Sequence, residues 1–88
     1  MTTRSTRAVP SLRRALGEHV RSLRETRGLS QDRLGRKAGL SGKFVGEVER
    51  GDKSISLDSL WRLAKALGLP LSGLIPKAGG DGGRGRKR

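Results

Sequence analysis

Between Gln31 and Arg50 the chain reads QDRLGRKAGLSGKFVGEVER, two short amphipathic segments on either side of a single glycine at a fixed offset. Leu34 and Ala38 stand four residues apart and so share one face of a helix. Val45 and Val48, three apart, form the inner face of a second helix that can close over them, and Leu40 follows the bend. Gly39 falls at the bend, where a residue without Cβ accepts positive φ at least cost. Ser30 and Ser41 precede the two segments, each with a hydroxyl able to accept from an otherwise unpaired amide of the first turn. Gly51 stops the second helix.

By spacing alone this is either a helix-turn-helix of the DNA-reading kind or an αα-hairpin with no ligand. From Leu16 to Ile75, however, the chain resembles the Cro-repressor-type helix-turn-helix family, also called XRE. The resemblance rests on LGEHVRSLRETRGLSQDRLGRKAGLSGKFVGEVERG followed by SLDSLWRLAKALGL, in which GLSQ, AGLS, EVERG and LAKALG keep the family's order and spacing. It runs through about sixty of the 88 residues. It implies an all-α, compact, four- to five-helix lambda-repressor-like domain. It also implies a sequence-specific, double-stranded DNA-binding transcriptional regulator, a repressor in type, from a bacterial, phage or plasmid setting. Stand-alone repressors, antitoxin-like regulators and controllers of restriction-modification operons are the nearest subtypes.

Length and charge agree with one small DNA-binding unit. Eighty-eight residues hold one modest core. Without cysteine there is neither a disulfide scaffold nor a thiolate metal site. MTTRSTRAVP has no apolar core of a signal sequence, and no apolar run approaches the length of a membrane span, so a soluble, cytoplasmic protein is expected. The formal charge is +12. Residues 1–14 carry four arginines, residues 15–70 eleven basic and seven acidic side chains, and residues 71–88 five basic and one acidic. The middle is a mixed-charge globular surface, whereas the ends concentrate the same excess on short polar stretches. The expected organisation is therefore a basic arm over 1–10, a helix-turn-helix domain over 11–76 and a disordered Gly/Arg-rich basic tail over 77–88. This balance favours a polyanion, because each phosphate neutralised by Lys or Arg releases counterions, but charge alone does not separate DNA from RNA or an anionic membrane.

Pro10 and Ser11 are expected to open a first helix with Leu12, Leu16, Val20 and Leu23 on one face, ending near Gly28. After Gly51 a loop leads to a helix capped by Ser56, with Leu57, Leu60, Leu63, Ala64 and Leu67 as its buried stripe and Gly68 and Pro70 at its end. Ser72 to Ile75 can form one more turn. Leu71, Leu74 and Ile75 then either finish the core or offer an apolar contact to a second subunit. There is no strand signal and no internal repeat.

With Val45 and Val48 turned inward, Gly42, Lys43, Gly46 and Glu47 fall on the outer face of the helix at about 42–50, whose amino end, after Ser41, is expected to enter the major groove. Lys43 can donate to guanine O6 and N7, and Glu47 can accept from cytosine N4. Phe44 can touch a thymine methyl or pack at the helix edge. Arg50, Lys53 and Ser54 are suited to hold the phosphate backbone. The resemblance places Gln31 where the family clamps a phosphate. It also implies a structural ion pair between Arg24 and Glu49, the alternative for both being a direct DNA contact.

Three departures from the family weaken direct readout. Gly35 replaces the usual alanine, keeping close helix approach but weakening the helix by up to about 1 kcal/mol. Gly42 stands where many relatives carry a long polar base reader, and Gly46 removes a further side chain. Sequence preference is therefore expected from Lys43, Glu47 and DNA shape.

Other residues carry less. His19 reads as a solvated surface residue, and Trp61 as a core or subunit contact. Gly80, Gly82 and Gly85 satisfy a dinucleotide-site spacing but have no room for the strand and helix such a site needs. Arg84, Gly85 and Arg86 are similar to a minor-groove hook without its flanking prolines, and fit a non-specific phosphate arm. No nucleophile–base pair or metal cluster can be assembled, so neither an enzyme nor a cofactor is expected. A single module reads few base pairs, which points to a homodimer on an inverted-repeat operator. The other functional readings are an architectural or non-specific nucleic-acid-binding protein, which predicts steep salt dependence without sequence preference, and an antitoxin-type regulator that also binds a toxin.

Overall fold

The computed structural model describes residues 2–76, with side chains from Ser11 onward. The expected tail at 77–88 lies outside the described residues. Five helices follow in order: α1 (Thr2–Thr26), α2 (Gln31–Ala38), α3 (Gly42–Arg50), α4 (Leu57–Leu67) and the single turn α5 (Leu71–Leu74). No strand occurs among the described residues.

The three middle helices are closed by the same device. Ser30 Oγ accepts from the Arg33 amide at 3.0 Å, Ser41 Oγ from Phe44 at 2.9 Å and Ser56 Oγ from Ser59 at 3.0 Å. Each such cap is worth about 1 kcal/mol. At the other ends Gly39, Gly51 and Gly68 take φ of 73°, 78° and 77°. Their amides return to carbonyls of the last turn, so each short helix stops within one residue. Helices this short are marginal alone, and it is packing that holds them.

The core gathers Leu16 and Val20 of α1, Leu34 and Ala38 of α2, Val45 and Val48 of α3, Leu60, Leu63, Ala64 and Leu67 of α4, and Leu74 of α5. Both α1 and α2 pack on α3, α4 packs on α2, and α5 returns to α4 and α1. Side-chain donors tie the open carbonyl ends together. Arg27 Nε donates to the Leu67 carbonyl at 2.8 Å, and His19 Nε2 donates to the Gly73 carbonyl at 2.9 Å. His19 is thus half-buried and joins α1 to α5, correcting its reading as a free surface residue.

Four other expectations change. The first helix begins at Thr2 and runs through Pro10, so most of the stretch read as a basic arm is helical. Pro10 has no N–H to donate, but its fixed φ is helical, and one missing rung does not end the chain's course. Leu12, expected in the stripe of α1, is 46% exposed, and Leu57, expected in that of α4, is 68% exposed. Trp61 is half-exposed, with the Lys65 ammonium 4.7 Å from the ring centroid, and so is not a core residue. Leu74, by contrast, takes the first of its two readings and finishes the core, completely buried because α5 folds back onto α4.

Two glycines set how closely the helices approach. A Cβ on Gly17 would overlap the carbonyl oxygens of Val48 and Glu49, the last turn of α3. A Cβ on Gly35 would lie 2.7 Å from the Leu40 carbonyl oxygen and 3.0 Å from the Gly42 nitrogen, within the turn between α2 and α3. Gly35 is therefore more than a weaker helix former in place of alanine, since the turn backbone occupies the space a methyl needs. We expect Gly17→Ala to lower unfolding free energy by about 1–3 kcal/mol, as overpacking against backbone does. Gly35→Ala should also fail to stabilise, despite alanine's higher helix propensity, and urea unfolding midpoints of the two variants check both expectations.

Candidate nucleic-acid interface

The inner side of α3 is fixed by a buried ion pair. Arg24 Nε lies 2.6 Å from Glu49 Oε2 and Arg24 Nη2 lies 3.1 Å from Glu49 Oε1, a two-pronged contact between a guanidinium and a carboxylate. The Arg24 side chain is 12% exposed and that of Glu49 4%. Arg24 Nη1 also donates to the Leu29 carbonyl at 2.8 Å, and Gln31 Nε2 donates to Glu49 Oε1 at 3.0 Å. One network thus joins α1, the turn at Leu29, the start of α2 and the end of α3. The hydrogen bond that Arg24 donates to Glu49 holds the Arg24 guanidinium above its ordinary pKa, against the opposing effect of burial.

Beyond this anchor, α3 presents its amino end and one flank. Ser41 and Lys43 are exposed, and Lys43 forms no ion pair among the described residues. Phe44 is half-buried and packs against the core, which places it at the helix edge. Glu47 is partly covered, with Lys53 Nζ 3.6 Å from its carboxylate. Arg50 Nε contacts Asp52 at 3.0 Å, both side chains being largely exposed. Arg50, the last residue of α3, and Lys53, in the loop after it, therefore stand beside nearby carboxylates in surface pairs weak enough to exchange partners. Ser54 lies elsewhere, on the rim of a groove shared with Leu12, Leu16 and Ile75.

The glycines of α3 differ from what the sequence implied. Gly46 does not face outward but is buried: a Cβ there would lie 3.3 Å from Gln31 Oε1 and 3.5 Å from Arg50 Nη1. Its lack of a side chain lets Gln31 reach Glu49, so Gln31 is a structural donor as well as an exposed residue at the start of α2. Gly42 is half-buried, and the space a β-carbon would take is filled by the carboxylate of Asp32. Sequence reasoning passes over Asp32, because its proximity to Gly42, ten positions on, exists only once Gly39 has turned α3 back across α2.

The apolar positions proposed for a second subunit divide. Leu74 is in the core, Leu71 is partly buried against it, and Ile75 is 45% exposed. Ile75 and Pro76 border a cavity of about 280 Å³ with Leu12, Leu16, Ile55 and Leu60. Arg13 lines the same cavity, and its Nε is shielded without an acceptor among the described residues.

A helix-turn-helix family model matches residues 20–74 of this chain. The control protein C.SmaI of Serratia marcescens is 37% identical over 68 residues, covering 77% of this chain and 81% of that protein. The HTH-type transcriptional regulator SutR of Escherichia coli is 35% identical over 65 residues, covering 74% of this chain and 36% of the regulator, so only part of that longer protein is matched. Among solved structures, the restriction-modification controller protein C.AhdI from Aeromonas hydrophila superposes with a TM-score of 0.70 at 38% identity, over 72% of this chain and 96% of that one.

Breaking the buried pair tests how far α3 depends on it. Arg24→Met leaves the Glu49 carboxylate covered and unpaired, and should lower stability by about 3–5 kcal/mol. Adding Glu49→Leu to that variant should return much of the loss, a recovery that a double-mutant cycle of denaturant unfolding measures directly.

Proposed function

The chain belongs to the HTH_3 helix-turn-helix family of XRE type, and from that premise we propose that it is a transcriptional repressor that reads operator DNA with α3. The observation that carries this reading is the combination of a rigidly held α3 with an open amino end. The Arg24–Glu49 network and the close approach at Gly17 fix the helix from behind. Ser41, whose hydroxyl caps the Phe44 amide, and Lys43 are exposed in front. That is the geometry by which the amino-terminal residues of a helix are carried into the major groove without disturbing the core.

In this mechanism Lys43 donates to guanine O6 and N7. Glu47 accepts from cytosine N4 once Lys53 turns toward a phosphate. Gln31 at the start of α2, Ser41, Arg50 and Lys53 hold the backbone and set the register, with Ser54 further out. Gly42 and Gly46 allow close approach of the neighbouring helix and turn rather than reading bases. Phe44 steadies the helix edge and can meet a thymine methyl. The basic stretches at 1–10 and 77–88 add sequence-independent attraction to phosphates around the domain at 11–76.

The chain acts as a homodimer on an inverted repeat in the cytoplasm. The docking surface centres on the apolar groove bordered by Leu12, Ile55, Leu60, Ile75 and Pro76. A second copy seated there removes that face from water and can offer the shielded Arg13 Nε an acceptor.

Selection from a random duplex pool, followed by titration over a salt series, tests the reading. An inverted repeat should be enriched and bound ~10³-fold or more tightly than scrambled DNA. Lys43→Ala should weaken that site by roughly tenfold and relax preference at its own base pair. Equal affinity for every sequence, with a steep salt slope, would instead identify an architectural protein. Ile75→Glu should shift the chain from dimer to monomer in sedimentation equilibrium and weaken operator binding, while thermal unfolding of the monomer stays cooperative.

A further inference from the structure

The first residue of α3 has no side chain, yet its place at the amino end of the helix is not empty. The Asp32 carboxylate, reaching across from the second residue of α2, fills the volume where a Gly42 Cβ would stand. Asp32 is exposed, and among the described residues its carboxylate takes part in no hydrogen bond or ion pair. Arg36 lies four residues further along α2, the spacing of a surface pair, and is not its partner. The acceptor is therefore turned toward the end of α3 that enters the groove, next to the exposed Lys43.

Resting on the reading of this chain as an α3-directed DNA regulator, we propose that Asp32 of α2 is a specificity-determining residue, supplying the base contact that a side chain at position 42 would otherwise make. A carboxylate only accepts hydrogen bonds. In the major groove, guanine O6 and thymine O4 are acceptors and repel it, while cytosine N4 and adenine N6 are donors. Adenine also presents N7, an acceptor beside the donor, against which the second carboxylate oxygen would be pressed. Cytosine presents no such acceptor there, so Asp32 selects cytosine. The partial positive charge at the start of α3 and the neighbouring Lys43 offset the repulsion between this carboxylate and the phosphates. The two side chains together set an acceptor beside a donor, so the amino end of α3 reads a cytosine and a guanine from two different helices.

The test is selection from random duplexes with the full chain, its Asp32→Ala variant and its Asp32→Asn variant, alongside their thermal unfolding. The wild-type half-site should contain one position fixed as cytosine by roughly tenfold. Asp32→Ala should flatten that position alone and leave the rest of the motif intact. Asp32→Asn should change it to adenine, because an amide can donate to N7 and accept from N6. All three proteins should melt cooperatively, since residue 32 is exposed. An unchanged motif in Asp32→Ala would overturn the proposal, as would tighter binding of that variant to every sequence alike, which is the signature of relieved phosphate repulsion. A wild-type chain that enriches no motif would overturn the regulator reading and this assignment with it.

Discussion

The placement of every element near α3 depends on the ion pair between Arg24 and Glu49. The guanidinium meets the carboxylate through two nitrogens and uses a third for the Leu29 carbonyl, while Gln31 satisfies a further lone pair of Glu49. A carboxylate this well covered is stable only with such complete hydrogen bonding, because desolvation would otherwise outweigh attraction. The network is therefore more a device for registry than a source of net stability. It fixes the end of α3 against α1 and the start of α2 at once.

Around that anchor the chain uses glycine to bring backbones together. Gly17 lets α1 lie against the last carbonyls of α3, and Gly35 lets α2 lie against the turn that precedes α3. Gly46 makes room for Gln31, and Gly42 for Asp32. The result is a recognition helix held close on two sides by its neighbours. Its amino end is shaped partly by residues that are not its own. In a domain of this size, with a core of eleven buried apolar side chains among the described residues, such close backbone approach and the capping of α2, α3 and α4 do much of what a larger core would do elsewhere.

Charge is arranged differently on the two sides of α3. Behind it, Arg24 and Glu49 are largely removed from water and locked together. In front, Lys43 forms no ion pair among the described residues, and Arg50 and Lys53 rest beside Asp52 and Glu47 in surface contacts. Exposed pairs are weakly held and screened by salt, so a phosphate can displace their carboxylates. In the proposed reading, the surface that approaches DNA thus keeps its cations positioned yet available, which suits a protein that must leave non-specific sites readily.

The local chemistry of the sequence determined the capped helices α2, α3 and α4. Ser30, Ser41 and Ser56 open them and Gly39, Gly51 and Gly68 close them, because a cap is a bond between residues only a few positions apart. The three- and four-residue spacing of Leu34, Ala38, Val45 and Val48 likewise determined which faces turn inward. The pairing of Arg24 with Glu49 was reached only through family resemblance, since nothing local links residues 25 positions apart. Tertiary structure alone decided the exposure of Leu12 and Leu57, the burial of Leu74, the inward position of Gly46, the tie from His19 to Gly73 and the meeting of Asp32 with Gly42. Each of these depends on where one helix lies across another. Periodicity gives a helix its apolar face but not how far along that face a neighbour extends.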